Sequence, residues 1–378
     1  SASGHLQATE KEMENRIMNQ TTKQPTEVFA ASIATILDAV GEEHDREREI
    51  IVRRFGLKER RETLEQIGEL LGITRERVRQ LEKAIVVRLK LAAEAGELEG
   101  LHDAERLIIR DLSENGRVGR VSDITQRLLD VETPTVQQRA HIAFIGEVSA
   151  RLTPINETDK YHQGLAIAEY GDEKAVRSRV DEIVAAIKQH GAPISLEALH
   201  DQLTYENPNQ VRGLASLSTQ LAHLKDMWGL SKWPTVNPKN IRDKIYVVLL
   251  DEGKPLHFSE IAQRIKESTF KRRNVTKQAI HNELIKDKRF ILIGRGIYAL
   301  DIWGYSQGTV ADIIAGILRD EGGPLHRDEI VKRVLKSRQV KETTILLNLQ
   351  SKPLFKRVAK ATYALEPPKE QAEAVAAA

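Results

Sequence analysis

The run Thr74-Arg75-Glu76-Arg77-Val78-Arg79-Gln80 concentrates side chains that can hydrogen-bond the edge of a base pair. Arginine can fork onto guanine O6 and N7, glutamine can pair with adenine, and glutamate can accept from cytosine N4. On a helix, residues four apart are neighbours, which pairs Arg75 with Arg79 and Glu76 with Gln80. Val78 and Leu81 would turn inward, so Arg75, Glu76, Arg79 and Gln80 project outward and are the candidate base readers. Thr63, Leu64, Thr74 and Arg77 are candidates for positioning the phosphate backbone, because free amides at helix starts hold anions. A solvated helix face laced with Arg–Glu pairs would use the same residue types, and spacing alone leaves both readings open.

These side chains need two short helices joined by a tight turn. Thr63-Leu64-Glu65-Gln66 reads as a capping box, with Thr63 as N-cap and Gln66 reaching back. Its helix carries Leu64, Ile67, Leu70 and Leu71 and stops at Gly72. Thr74 caps the next helix, whose apolar stripe is Val78, Leu81, Ile85 and Leu89. This is a helix-turn-helix outline, shared by any generic helical hairpin. Upstream, Val28, Ile33, Ile36, Leu37 and Val40 mark one helix. Ile50, Ile51 and Phe55 mark another, ending at Gly56. From Arg46 to Lys90 there are thirteen basic and eight acidic residues. That local excess is hidden in a net charge of only +2 for the whole chain.

The stretches Arg46-Glu47-Arg48-Glu49-Ile-Ile-Val-Arg-Arg54-Phe55-Gly56-Leu57 and Thr63 to Glu82 resemble region 4 of bacterial sigma-70 factors, over about Val28 to Leu91. The resemblance implies reading of a −35 promoter element and docking on the flap of the RNA polymerase β subunit. It would make Arg75, Glu76, Arg79 and Gln80 base readers, with Thr63, Leu64 and Thr74 against the backbone. Two departures stand out. Residues 1 to 27 hold no aromatic, and no aromatic-dense helix follows, unlike the family's promoter-melting region; the expectation is an incomplete initiation factor. Lys83-Ala84-Ile85-Val86-Val87 is also more apolar than the family's basic sequence, which weighs against an activator contact there.

The rest of the chain contains an internal repeat. Gly-Lys-Pro-Leu-His257 and Gly-Gly-Pro-Leu-His326 follow similar apolar stretches, with Gly253 and Gly322 69 residues apart. Second helices follow over Phe258 to Lys266 and Arg327 to Leu335, then third helices near Thr276 to Ile285 and Glu342 to Leu349. Each copy closes with a β-like segment, and Phe290 with Phe355 and Tyr298 with Tyr363 repeat at 65 residues. A fainter copy starts near Val180, with its third helix at Leu214 to Leu224 and Trp228 and Trp233 in its closing strand. A still fainter one starts near Leu107, with a turn at Asn115-Gly116 and a helix from Ser122 to Leu129. Three helices and a β-hairpin predict winged-helix units, and the last two copies resemble the HARE-type winged helix found in the RNA polymerase delta subunit and beside restriction proteins. The first of these two, by its residues, offers a second DNA surface: Lys271, Arg272 and Arg273 before the third helix, then Lys277, Gln278, His281 and Asn282 on it. Lys341, Thr343, Thr344 and Asn348 hold similar places in the last copy, whose helix is more apolar and suits protein equally. Each of these polar residues also suits a solvated surface.

The expected fold class is therefore mainly α: a helix-turn-helix domain followed by tandem winged-helix units. Expected boundaries are a flexible leader at 1–25, the region-4-like domain at 26–95, units at 104–170, 177–235, 241–303 and 308–366, and a tail at 367–378, with Pro234 to Pro238 as a linker. Met13, Ile17 and Met18 would mark a weak helix in the leader, and Ser1-Ala2-Ser3-Gly4 reads as a cloning remnant. There are no cysteines, which removes disulfides, thiol catalysis and Cys-ligated zinc. No eighteen-residue apolar stretch is present. There is no phosphate-cradling glycine loop, nucleophile elbow or His-Glu-x-x-His run. His257 and His326 recur at one turn, which favours helix capping over catalysis. The expected partners are double-stranded DNA and bacterial RNA polymerase core through its β flap, with no membrane, no cofactor, no metal and no enzymatic activity. The expected location is cytoplasmic, at the nucleoid. A polymerase-bound module gripping protein through Phe55, Leu57 and the Val28 to Val40 helix, and a restriction-linked enzyme subunit, are the rival readings.

Overall fold

The computed structural model describes residues 24–43 and 45–366. The expected leader helix around Met13 to Met18, the four N-terminal residues and the tail from 367 fall outside them. The chain divides into two compact units, residues 1–232 and 233–378.

The first unit begins with four helices: α1 (Pro25–Val40), α2 (Arg46–Phe55), α3 (Leu64–Leu71) and α4 (Arg75–Glu94). Helix α2 ends on Gly56, whose φ of 68° is the left-handed conformation that glycine takes without a Cβ penalty. Ile50, Ile67 and Val78 are fully buried where α2, α3 and α4 meet, with Leu64, Leu71, Ile73 and Leu81 packed around them. A larger core runs from Phe29 and Ile36 of α1 through Ile85 and Leu89 of α4 to Ile108, Phe144 and Ile167. The helix-turn-helix segment and the segment after it thus share one apolar interior.

After α4 the chain repeats one plan four times: helix, short strand, two helices, two strands. The first copy is α5 (Leu101–Glu114), β1 (Val118–Arg120), α6 (Val121–Leu129), α7 (Val136–Val148), β2 (Leu152–Ile155) and β3 (Gly164–Ile167). The second is α8 (Glu173–His190), β4 (Ile194–Ser195), α9 (Leu196–Asp201), α10 (Pro208–Leu217), β5 (Leu221–Leu224) and β6 (Met227–Leu230). The third, in the second unit, is α11 (Ile241–Glu252), β7 (Leu256–His257), α12 (Phe258–Glu267), α13 (Lys277–Lys286), β8 (Phe290–Gly294) and β9 (Ile297–Leu300). The fourth is α14 (Val310–Glu321), β10 (Leu325–His326), α15 (Arg327–Ser337), α16 (Glu342–Ser351), β11 (Phe355–Ala359) and β12 (Thr362–Leu365). In every copy the last strand is central and antiparallel to both neighbours. The described residues are mainly helical with small antiparallel sheets.

The 65-residue register extends to the hairpin turns. Gly296 and Ala361 both take positive φ, 70° and 55°. Their carbonyls accept from the first amides of the second helices, Phe258 (2.9 Å) and Arg327 (2.7 Å). His257 and His326 cap those helices, each accepting from the backbone N–H two residues on.

Three expected elements are placed differently. The third helix of the second copy spans Pro208–Leu217, opened by proline and capped by Asn207, and Leu221–Leu224 is a strand rather than its end. Trp228 lies in a strand, whereas Trp233 follows it outside any strand. Phe55, Leu57 and the apolar face of α1 are core or packed against it, with Phe55 4.7 Å from the Phe144 ring, so they form no open docking surface.

Candidate nucleic-acid interface

The turn between α3 and α4 is fixed by glycine and threonine. Gly72 closes α3 with φ 66° in the left-handed region. Gly68 lies where the two helices approach: a Cβ there would sit 2.7 Å from the Ile73 carbonyl oxygen. Thr63 accepts from the Gln66 amide (3.2 Å) while Gln66 Oε1 accepts from the Thr63 amide (2.8 Å), completing the capping box. Thr74 accepts from the Arg77 amide (3.2 Å) and starts α4. These caps satisfy amides a helix start would otherwise leave open. Leu64 is half-buried in the small core, so it contributes backbone and packing rather than a free side chain.

Val78 is fully buried, and this sets the azimuth of α4. Arg75, Glu76, Arg77, Arg79 and Gln80 are all exposed along its first turns. Arg79 donates to both Glu76 oxygens (2.8 and 2.6 Å), and Gln80 donates to the same carboxylate (3.3 Å). The Arg79 hydrogen bonds pull the Glu76 pKa down to about 2. Arg75 pairs with Glu65 of α3 at 2.7 Å. Arg77 has no side-chain partner among the described residues. The exposed face therefore presents one unpartnered cation and three polar side chains tied to carboxylates. Glu65 and Gly68 escaped the sequence reading; the glycine inside an otherwise strong helical pattern was the available signal for the close approach.

Residues 44–91 match the family model for sigma-70, region 4. Part of the chain also resembles curated sigma factors. RNA polymerase sigma factor sigB of Arabidopsis thaliana is 40% identical over 65 residues, covering 17% of this chain and 11% of that protein. RNA polymerase principal sigma factor HrdD of Streptomyces griseus is 44% identical over 57 residues, 15% of this chain and 17% of that protein. RNA polymerase sigma factor RpoD of Helicobacter pylori is 44% identical over 66 residues, 17% of this chain and 9% of that protein. The chain thus spans less than a fifth of the length of these relatives.

Outside the region-4-like segment, the second candidate surface is built around α13. Lys277, Gln278 and Asn282 are exposed on it, with Gln278 donating to Asn282 (3.1 Å). His281 is half-buried, edge-on to Phe258 (5.1 Å) and Tyr298 (6.4 Å), so its ring is largely committed to packing. The exposed Lys271-Arg272-Arg273 loop is held from below by Lys244. That lysine is only 4% exposed and donates to the Arg272 carbonyl (3.1 Å). Burial and the Arg272 charge hold its pKa below the usual lysine value. Arg273 donates to the Ser268 carbonyl (3.0 Å). One edge of the neighbouring hairpin is already covered. The Gln339 amide donates to the Ile293 carbonyl (3.2 Å), and the Arg338 guanidinium donates to Leu292 O.

Proposed function

We propose that the chain is a sequence-recognising duplex-DNA-binding protein of transcription, which reads a −35-type element with the start of α4. One observation carries this reading: a region-4 match whose four expected readers, Arg75, Glu76, Arg79 and Gln80, all lie exposed on the first turns of a capped, rigidly seated second helix. Recognition helices meet base edges with that end. Arg77, Thr63 and Thr74 face the backbone in this reading, and Leu64 seats the supporting helix. The four helix–strand–helix–helix–hairpin copies are winged-helix units in this account, the last two HARE-like. The loop 271–273 with Lys277, Gln278 and Asn282 adds phosphate contacts, and modules on one chain gain affinity by effective concentration. The protein acts without catalysis. A selection from random duplexes with the full chain tests the reading. Enrichment of one conserved hexamer-scale motif supports it, and recovery of unbiased sequence contradicts it.

A second reading has its own observation. Val87 and Leu91, one turn apart on α4, are 49% and 60% exposed. An apolar pair at that spacing suits a protein contact, and RNA polymerase core, through its β flap, is the partner this reading names. Capture of core polymerase by the full chain without DNA, abolished by Val87→Asp, supports it. Capture unaffected by that change contradicts it.

A further inference from the structure

Within the first unit, a cleft of about 260 Å³ opens where three segments meet. Arg61 comes from the loop before α3, Arg120 from the end of β1, and Arg139 from α7. The Nε of Arg139 is buried with no hydrogen-bond partner among the described residues. Among the described residues, Arg61 is exposed and donates to the Arg54 carbonyl (3.2 Å). None of the three makes an ion pair among the described residues, although most arginines around α2 to α4 do. Glu157 is the one carboxylate on the lining. Phe55, Val136, Ala140 and Ala143 add apolar atoms to the lining.

Three arginines that line one cleft, none of them ion-paired among the described residues, leave their charge available to an anion. Guanidinium forks match phosphate oxygens, and charge-assisted bonds to a phosphate dianion are stronger than those to neutral acceptors. The volume lies just below the about 300–1,000 Å³ of ordinary small-molecule sites, which leaves room for a phosphate and a small organic body. We propose that this cleft binds a small phosphomonoester, with its phosphate on Arg61, Arg120 and Arg139 and its organic part against Phe55 and Val136. The site is separate from the exposed face of α4 and does not depend on base reading there. A ligand held here touches both the loop that leads into α3 and the segment after α4.

Thermal unfolding of the full chain tests this with AMP, glucose 6-phosphate, inorganic phosphate and, as the phosphate-free control, adenosine. A ligand that binds only the folded state raises the melting temperature. The expected result is a rise with AMP or glucose 6-phosphate and none with adenosine. Arg120→Gln and Arg139→Gln should each weaken the effect on the order of tenfold, the loss expected for one charged hydrogen bond. Arg75→Ala should leave it intact. Arg120 is half-exposed, so its variant keeps the fold if Arg139→Gln does not, and circular dichroism checks both. No rise with either phosphomonoester overturns the proposal, as does a rise that survives both substitutions. Loss of duplex-DNA affinity in the two variants, with no response to AMP or glucose 6-phosphate, also overturns it and assigns the cleft to a phosphodiester of DNA.

Discussion

Arg79 grips Glu76 through two hydrogen bonds of 2.6 and 2.8 Å, on the face that the proposed function turns toward DNA. Both residues are more than half exposed, so the pair is screened by water and adds little to folding stability. Under the proposed function, the pair presets Arg79 in one rotamer in the free protein, and Glu76 would compete with the base for it. Replacing Glu76 with Gln releases the guanidinium. Affinity for a scrambled duplex should rise, and its ratio to the preferred duplex should narrow, in parallel anisotropy titrations. The pH sign follows from the same bonds. The Glu76 pKa falls from 4.5 to about 2, so the pairing is present above the ordinary carboxylate range and is lost as pH falls toward 2. Between pH 5 and 8, Glu76→Gln should therefore shift affinity by a constant factor.

The two threonine caps should differ. Thr63→Ala breaks a reciprocal capping box, while Thr74→Ala removes a single acceptor from the Arg77 amide. Each should cost about 0.5–2 kcal/mol, with Thr63 toward the upper end. Urea unfolding of the full chain checks the order.

Gly68→Ala should be worse than its size suggests. The added methyl would sit 2.7 Å from the Ile73 carbonyl oxygen, which is backbone and cannot swing aside. The helices must part, at about 1–3 kcal/mol. Because α4 then tilts, duplex recognition should fall further than stability, measured as affinity at a temperature well below melting.

Much of this segment was legible in residue order. Caps and stops are local chemistry: Thr63 with Gln66, Gly56 and Gly72 each declare a helix end through their own hydrogen bonds or φ. His257 and His326 declared theirs by repetition. What failed to show was whatever depends on partners far along the chain. Helix α7 buries Ile142, Ala143, Phe144, Ile145 and Val148, so no polar stripe marks its period. The strands of the first copy are three or four residues long, one containing Pro154, too short for alternation to register. In the second copy, Gly213 and Ser218 obscured where α10 ends. The pairing of Arg75 with Glu65, and the meeting of Arg61, Arg120 and Arg139, are tertiary and have no local signature.

Lys244→Met separates the second candidate surface from the first. Losing the bond to the Arg272 carbonyl should cost about 1 kcal/mol and speed amide exchange across 271–273. The lysine pKa is depressed in the fold, so wild-type stability should rise as pH climbs from that lowered pKa toward 10.5, where the unfolded chain also loses its proton. The methionine variant should lack that rise in urea titrations between pH 8 and 10.5.

The most direct test of the account is an anisotropy titration of wild type and Arg79→Ala against a duplex bearing a −35-type element and a scrambled duplex, across a salt series. Base reading predicts a clear wild-type preference, a loss of roughly 1–3 kcal/mol in Arg79→Ala on the intact element only, and an unchanged salt slope. Equal loss on both duplexes, with a shallower slope, would make Arg79 a phosphate contact and contradict sequence reading by this helix.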